Sequence, residues 1–210
     1  MRLDQVTEAL RGRLLPAEKP AAAPVHAAVA GVLREGGRGA ELLLIERVQR
    51  PGDPWSGQMA LPGGRVQVED RSPLQTAIRE THEETGLGLH GAPVLGRLVE
   101  QAPSSSGGSL RVAGYVFSMG AESPVLRPNH DEVSDALWLP LESLLEPIRY
   151  RDYRYPLRPE MVFPAVAVDQ SLDDGRAAGT SDTEVRVIWG LTLRFLADLF
   201  ERLGRSFPAR

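Results

Sequence analysis

The chain has 210 residues, 42% apolar and 25% charged, with a formal net charge of −4 and no cysteine. That length and apolar content suit one domain with a sizeable core, or one domain with an added arm. The acidic balance argues against a protein that coats nucleic acid, and the missing cysteines exclude disulfides, thiolate zinc sites and cysteine nucleophiles. No apolar run of about 18 residues is present, so no transmembrane helix or membrane partner is expected. The first residues lack an apolar signal core, which points to the cytoplasm.

Residues 1–15 carry Val6, Leu10 and Leu14 at helical spacing and predict a short amphipathic helix. Pro16, Lys19-Pro20 and the alanines up to Pro24 read as a linker, so residues 1–23 are taken as helix and linker and 24–204 as the domain. Val25 to Leu33 is small and apolar, a buried strand, and Leu42 to Val48 is a second, reached by a hairpin turn at Gly36-Gly37-Arg38-Gly39. Pro51-Gly52-Asp53-Pro54 is a turn, and Met59 to Leu61 leads into the glycine turn Pro62-Gly63-Gly64.

A helix follows. Ser72 suits its N-cap, Pro73 its first position, Gln75 completes a Ser-x-x-Gln capping box, and Gly86 ends it in a left-handed C-cap. At about 100° per residue, Leu74, Ile78, Thr81 and Thr85 form a core-facing stripe. Glu80, Glu83 and Glu84 share another face, roughly opposite. Three such carboxylates repel, and the helix dipole at this end makes the repulsion worse. A hard divalent cation, Mg2+ or Mn2+, resolves the conflict; a solvated acidic face is the plain alternative. The adjacent glycines favour the cation, because they let backbone approach a metal or phosphate closely. Arg79, four residues before Glu83, can brace that carboxylate or an acid in the preceding loop.

Pro93 to Glu100 and Leu110 to Ser118 read as strands flanking Pro103 and the loop Ser104-Ser105-Ser106-Gly107-Gly108-Ser109. Asn129-His130-Asp131-Glu132-Val133 precedes a strand from Ala136 to Leu139. Arg149 to Arg158 alternates arginine and tyrosine, which suits phosphate binding and base stacking, or else a charged edge strand. Met161 to Val168 is a buried strand, and Val185 to Leu203 the longest helix, with Ile188, Leu191, Phe195 and Leu199 on one face. This order of elements alone says α/β or α+β.

The string Arg79-Glu80-Thr81-His82-Glu83-Glu84-Thr85-Gly86-Leu87 resembles the second half of the Nudix box, with Thr81 in place of an aliphatic residue. The first half departs: with five residues between them, Gly64 is followed by Asp70 instead of Glu, with eight residues before Arg79, whereas counting from Gly63 selects Glu69 with nine. The structural acid is thus open between Glu69 and Asp70. The resemblance implies the α/β class, as a Nudix α/β/α sandwich with a mixed curved sheet. It implies hydrolysis of a diphosphate that links a nucleoside to another group. It further implies Mg2+ or Mn2+ held by Glu80, Glu83, Glu84 and the Gly64 carbonyl, Arg79 orienting the cluster, and Glu84 or Glu132 taking the proton of the attacking water, with Asp131 as the spare acid. A solvated loop acid is the plain alternative for Glu132.

Upstream, Leu43-Leu44-Ile45-Glu46-Arg47, Gly57 and Leu61-Pro62-Gly63-Gly64 are similar to the coenzyme A pyrophosphatase branch. They depart from it at Ile45, Val48-Gln49, Leu61 and Asp53, the last standing where that pattern has a basic residue. This implies cleavage of coenzyme A or acyl-coenzyme A to 3′,5′-ADP and (acyl-)4′-phosphopantetheine, with Arg47, Arg50 and Arg65 as candidate substrate-binding residues. Pro103, sixteen residues past the box, resembles a feature of ADP-ribose pyrophosphatases and keeps ADP-ribose or a nucleotide sugar as the alternative. A non-catalytic nucleotide-binding Nudix domain is the reading from another class. The expected partner is a small nucleotide, and a homodimer is compatible with the group.

Overall fold

The structure, a computed structural model, describes residues 1–18, 23–53, 55–103, 110–120, 124–156, 158, 160–168 and 186–207. In chain order the elements are α1 (Leu3–Leu10), β1 (Ala27–Gly36), β2 (Gly39–Arg47), β3 (Met59–Ala60), β4 (Gly63–Arg65), α2 (Pro73–Thr85), β5 (Val94–Arg97), β6 (Val112–Ser118), β7 (Val133–Pro140), β8 (Tyr150–Arg154), β9 (Val162–Ala167), β10 (Val187–Trp189) and α3 (Gly190–Arg202).

Strands β1 to β7 form one mixed sheet. β1 runs parallel to β6 and antiparallel to β2, and β2 continues antiparallel to β7. Alternation along the strands feeds two cores, one on each face. Leu42, Leu44, Val112 and Val116 join Leu3, Val6 and Leu10 of α1 and Leu196, Leu199 and Phe200 of α3. Leu43, Ala113, Tyr115 and Phe117 join Ala77 and Ile78 of α2. The sheet therefore lies between helices, the α/β/α sandwich that the box resemblance implies. Among the described residues no helix is long and apolar enough to cross a membrane.

The feature that positions the site is a fork between β1 and β2. The two pair only from Leu33↔Leu42 to Gly36↔Gly39. Beyond that point they part. β1 pairs instead with β4 through Ala28↔Gly64 and Val29↔Gly63, and β2 with β3 through Ile45↔Ala60 and Glu46↔Met59. The Ala30 N–H donates to the Pro62 carbonyl (2.8 Å) and the Arg47 N–H to the Gln58 carbonyl (3.1 Å). Residues 58–65 thus fill the fork, with the glycine turn inside the sheet instead of at its rim.

β8, β9 and β10 form a second, antiparallel sheet that the chain order does not announce. The expected helix from Val185 is corrected here. Val185 lies outside the described residues, Val187–Trp189 pairs with Ala167–Ala165 as a strand, and α3 starts at Gly190. Ile188 is buried in the same core as α3, which is why it fell in phase with the helix pattern. Loop residues 104–109, most of the linker's Lys19-Pro20 stretch, and Pro54 also lie outside the described residues.

Candidate active site

α2 forms where its caps place it. Ser72 Oγ accepts the Gln75 N–H (3.3 Å), Pro73 opens the helix, and Gly86 closes it at φ 71° with its N–H on the His82 carbonyl (2.8 Å). Ala77, Ile78, Thr81 and Thr85 are buried on the sheet. Thr81 Oγ1 donates to the Ala77 carbonyl (2.7 Å) and Thr85 Oγ1 to the Thr81 carbonyl (2.6 Å). Both hydroxyls are satisfied within the helix, so a threonine at position 81 is buried as readily as the aliphatic residue it stands in for.

The three glutamates do not share a solvent face opposite the core. Glu84 is 2% exposed, and its Oε2 accepts the Gly63 N–H at 2.8 Å. The Glu80 side chain is 12% exposed, and Glu83, outermost, 49%. A methyl group at Gly64 would run into the Glu80 carboxylate. At Gly63 (φ 152°) it would collide with the Ala28 carbonyl and stand 2.6 Å from Val29 Cα. Gly64 therefore permits this approach of helix to turn, and Gly63 the approach of the turn to β1. Burial pushes the Glu84 carboxyl up to about 8, against the pull of the Gly63 amide and Arg47, and Glu80 and Glu132 push the same way as burial. Burial raises Glu80 too, opposed by Arg79.

Arg79 is the counter-charge. Its Nε and Nη2 grip Asp70 Oδ1 (3.0 Å) and Oδ2 (2.9 Å), its Nη1 reaches Glu80 Oε1 (2.9 Å) and Glu83 Oε2 (2.8 Å), and Nη2 donates to the Arg65 carbonyl (3.2 Å). The Gln67 N–H (2.9 Å) and Thr76 Oγ1 (2.8 Å) also donate to Asp70 Oδ2. Hydrogen bonding to Arg79 holds the Asp70 carboxyl well below the usual range, and Asp70 raises Arg79 in turn. The structural acid is Asp70; Glu69 is exposed.

A second wall comes from two loops. The Asn129 N–H donates to the Glu84 carbonyl (3.0 Å) and the Arg127 N–H to the Thr85 carbonyl (2.7 Å), capping the last turn of α2. Glu132, exposed, is thereby set close enough for its charge to raise both Glu80 and Glu84. The Val48 N–H donates to the Glu132 carbonyl (2.9 Å), and the Arg50 guanidinium to the Asp131 carbonyl. Arg47 lies half-buried, with Nη2 3.3 Å from Asp53 Oδ2 and a buried Nε that has no hydrogen-bond partner among the described residues. Its charge acts on Glu84. The Arg65 side chain is exposed. Within the arginine–tyrosine stretch, Arg149 is fully buried with Nη1 on the Ala167 carbonyl (3.4 Å), Tyr153 and Tyr155 pack on Trp189 at 5.0 and 4.9 Å, and Arg154 and Arg158 are exposed. The Gly63 amide carries no side-chain signature that a sequence reading could find.

Among the described residues no three carboxylate or imidazole groups already stand together as an ion's ligands, since Arg79 holds Glu80 and Glu83. The donor chemistry nevertheless fits a hard divalent cation. The donors are oxygens, two of the carboxylates are desolvated against like charge, and the Glu80 carboxylate lies so close to the Gly64 backbone that a Cβ there would run into it.

The family model for the NUDIX domain matches residues 24–161, two-thirds of the chain. The chain belongs to the Nudix family. An uncharacterized protein of Schizosaccharomyces pombe is 43% identical over 111 residues, 50% of this chain and 33% of its own length. The uncharacterized Nudix hydrolase NudL of Pectobacterium atrosepticum is 35% identical over 102 residues, 49% of each chain. The Nudix chain described here therefore spans half or less of these curated relatives. A solved MutT/nudix family protein of Enterococcus faecalis shares the fold with a TM-score of 0.51 at 17% identity, over 89% of this chain and 65% of that one.

Proposed function

We propose that this Nudix chain is a cytoplasmic, metal-dependent pyrophosphohydrolase. Its substrate would be a nucleoside diphosphate joined to another group, with coenzyme A or acyl-coenzyme A first and ADP-ribose or a nucleotide sugar second. The observation that carries the reading is the burial of Glu84 beside Glu80, within reach of the Glu132 charge and against the Gly63–Gly64 turn. A fold that gathers acids there without a cation to bind holds a desolvated, self-repelling cluster. This speaks against a merely nucleotide-binding relative.

Glu80, Glu83 and Glu84, with the Gly64 carbonyl, would hold Mg2+ or Mn2+. When bound, such an ion lowers the pKa of a water and neutralises charge on the diphosphate. Glu132 or Glu84 accepts the water's proton, a contribution of ~10²–10⁴-fold in rate. Arg79, braced by Asp70, keeps Glu80 and Glu83 in place. The half-buried Arg47 guanidinium would offer an exposed N–H to a phosphate oxygen. The pattern from Leu43 to Gly64 supports coenzyme A. Against it, Asp53 partly neutralises Arg47 at the place where an additional phosphate would call for positive charge, and this favours the second substrate.

The test is a panel of coenzyme A, acetyl-coenzyme A, ADP-ribose, diadenosine polyphosphates and NADH, each with Mg2+ or Mn2+, ranked by kcat/KM. Glu83→Gln and Glu84→Gln are expected to lose most turnover while folding normally. Full activity in folded Glu84→Gln protein sinks the assignment.

A further inference from the structure

The charge of Glu132 acts on Glu80 and Glu84 from another part of the chain, and its carboxylate accepts no hydrogen bond among the described residues. What fixes it is backbone. Its own N–H donates to the Asn129 carbonyl (2.9 Å), which also takes the Val133 N–H (2.8 Å), and its carbonyl accepts the Val48 N–H (2.9 Å). The residue before it, Asp131, is gripped by two side chains. Asn129 Oδ1 accepts the Asp131 N–H (3.2 Å), and the Arg50 guanidinium donates to the Asp131 carbonyl. Arg50 is itself steadied, because its N–H donates to Ser56 Oγ (2.6 Å) across the turn that carries Asp53. Asn129 is tied to the helix through its N–H on the Glu84 carbonyl (3.0 Å). Three segments, the end of α2, the loop before β7 and the loop after β2, thus meet around the turn from Asn129 to Glu132.

We infer that Arg50 and Asn129 are positioning residues that hold the Asp131–Glu132 backbone so that the Glu132 carboxylate stays against Glu80 and Glu84. The inference rests on the proposed part of Glu132 in hydrolysis and assigns Arg50 away from the substrate. An arginine that binds substrate phosphate and one that clamps a loop separate kinetically. The first raises KM when removed, and the second lowers kcat, because a small misplacement of an acid–base group alone can lose on the order of 10²-fold in rate.

Two measurements decide it. Amide hydrogen exchange on the whole chain asks whether the clamp exists: Arg50→Ala and Asn129→Ala should speed exchange at the Glu132 and Val48 amides and leave the core of β2 unchanged. Unchanged protection at those two amides overturns the inference, whatever the substrate. Kinetics with Mg2+ on coenzyme A and ADP-ribose asks whether the clamp acts through Glu132. Arg50→Ala should lower kcat ~10–100-fold with KM little changed, Arg50→Lys should recover part of it, and Arg50→Ala combined with Glu132→Gln should be no slower than Glu132→Gln alone. A raised KM at constant kcat, or losses that multiply in the double variant, overturns it. Full turnover by Glu132→Gln instead refutes the role given to Glu132, a separate failure that the exchange experiment distinguishes.

Discussion

Without a divalent cation, this protein should become less stable as the pH rises from about 5 to 8, the reverse of ordinary acid denaturation. The perturbation is EDTA. The group responsible is Glu84, whose carboxyl is pushed to about 8 in the fold by burial. In the unfolded chain a glutamate ionises near 4.3. Folding therefore favours the protonated form: its contribution is complete below the unfolded value and is lost as pH climbs through the folded one. Each tenfold gain in proton affinity on folding is worth about 1.4 kcal/mol. Allowing for relaxation of the helix end, the loss across that window is on the order of 3–5 kcal/mol. Glu80, raised in the same direction, adds to it. Asp70 is shifted the other way, and its contribution is lost only as pH falls below the usual carboxylate range, outside the window. The assay is urea unfolding at pH 5, 6, 7 and 8, in EDTA and in saturating Mg2+. Mg2+ should flatten the profile, because a cation favours the ionised carboxylates, and Glu84→Gln should flatten it without metal. A metal-free profile that is level or rises with pH, or a slope undiminished in Glu84→Gln, refutes the reasoning.

Asp70→Asn should lower stability by about 2–3 kcal/mol in the same urea assay, since it strands part of a largely buried guanidinium that keeps other partners. Glu69→Gln should change it by less than about 0.5 kcal/mol. Gly63→Ala should fail to fold or melt far below the parent, because backbone atoms of β1 occupy the space of the added methyl. Gly64→Ala meets only the far end of the Glu80 side chain, so it should fold and instead weaken Mg2+ binding measured by titration calorimetry.

The parts of the fold legible in the sequence were those written locally. Ser72, Pro73 and Gly86 delimit α2 because caps act within a turn, and the strands after Pro24 and Gly39 announce themselves by apolar runs between turn residues. Helix spacing also identified Glu80, Glu83, Glu84 and Arg79 as neighbours. It could not tell which way they face, because the angle between Glu84 and the Ile78 stripe leaves burial to whatever strand lies beneath, here β4. The choice between Asp70 and Glu69 depended on how a loop with an extra residue folds back on Arg79, and counting cannot supply that. Trp189 and Ile188 read as helix because a strand leading into a helix over one core keeps the same apolar phase. The contact of Arg50 with the Asp131 carbonyl was not legible, because a guanidinium suits a phosphate and a peptide carbonyl alike, and only the fold presents the carbonyl.

The fork between β1 and β2 makes the Nudix box a local word with a non-local meaning. A peptide cut from the glycine turn to the end of the helix would keep its caps and its three acids. It would lack β1, which pins Gly63 and Gly64, and β2, which pins Met59 and Ala60 just before them, and so would have no fixed amide to receive Glu84. The site can be completed only after β1 and β2 have parted around residues 58–65, a step that requires distant segments to be in place. Metal affinity should consequently appear late during refolding, together with the finished sheet and not with the helix.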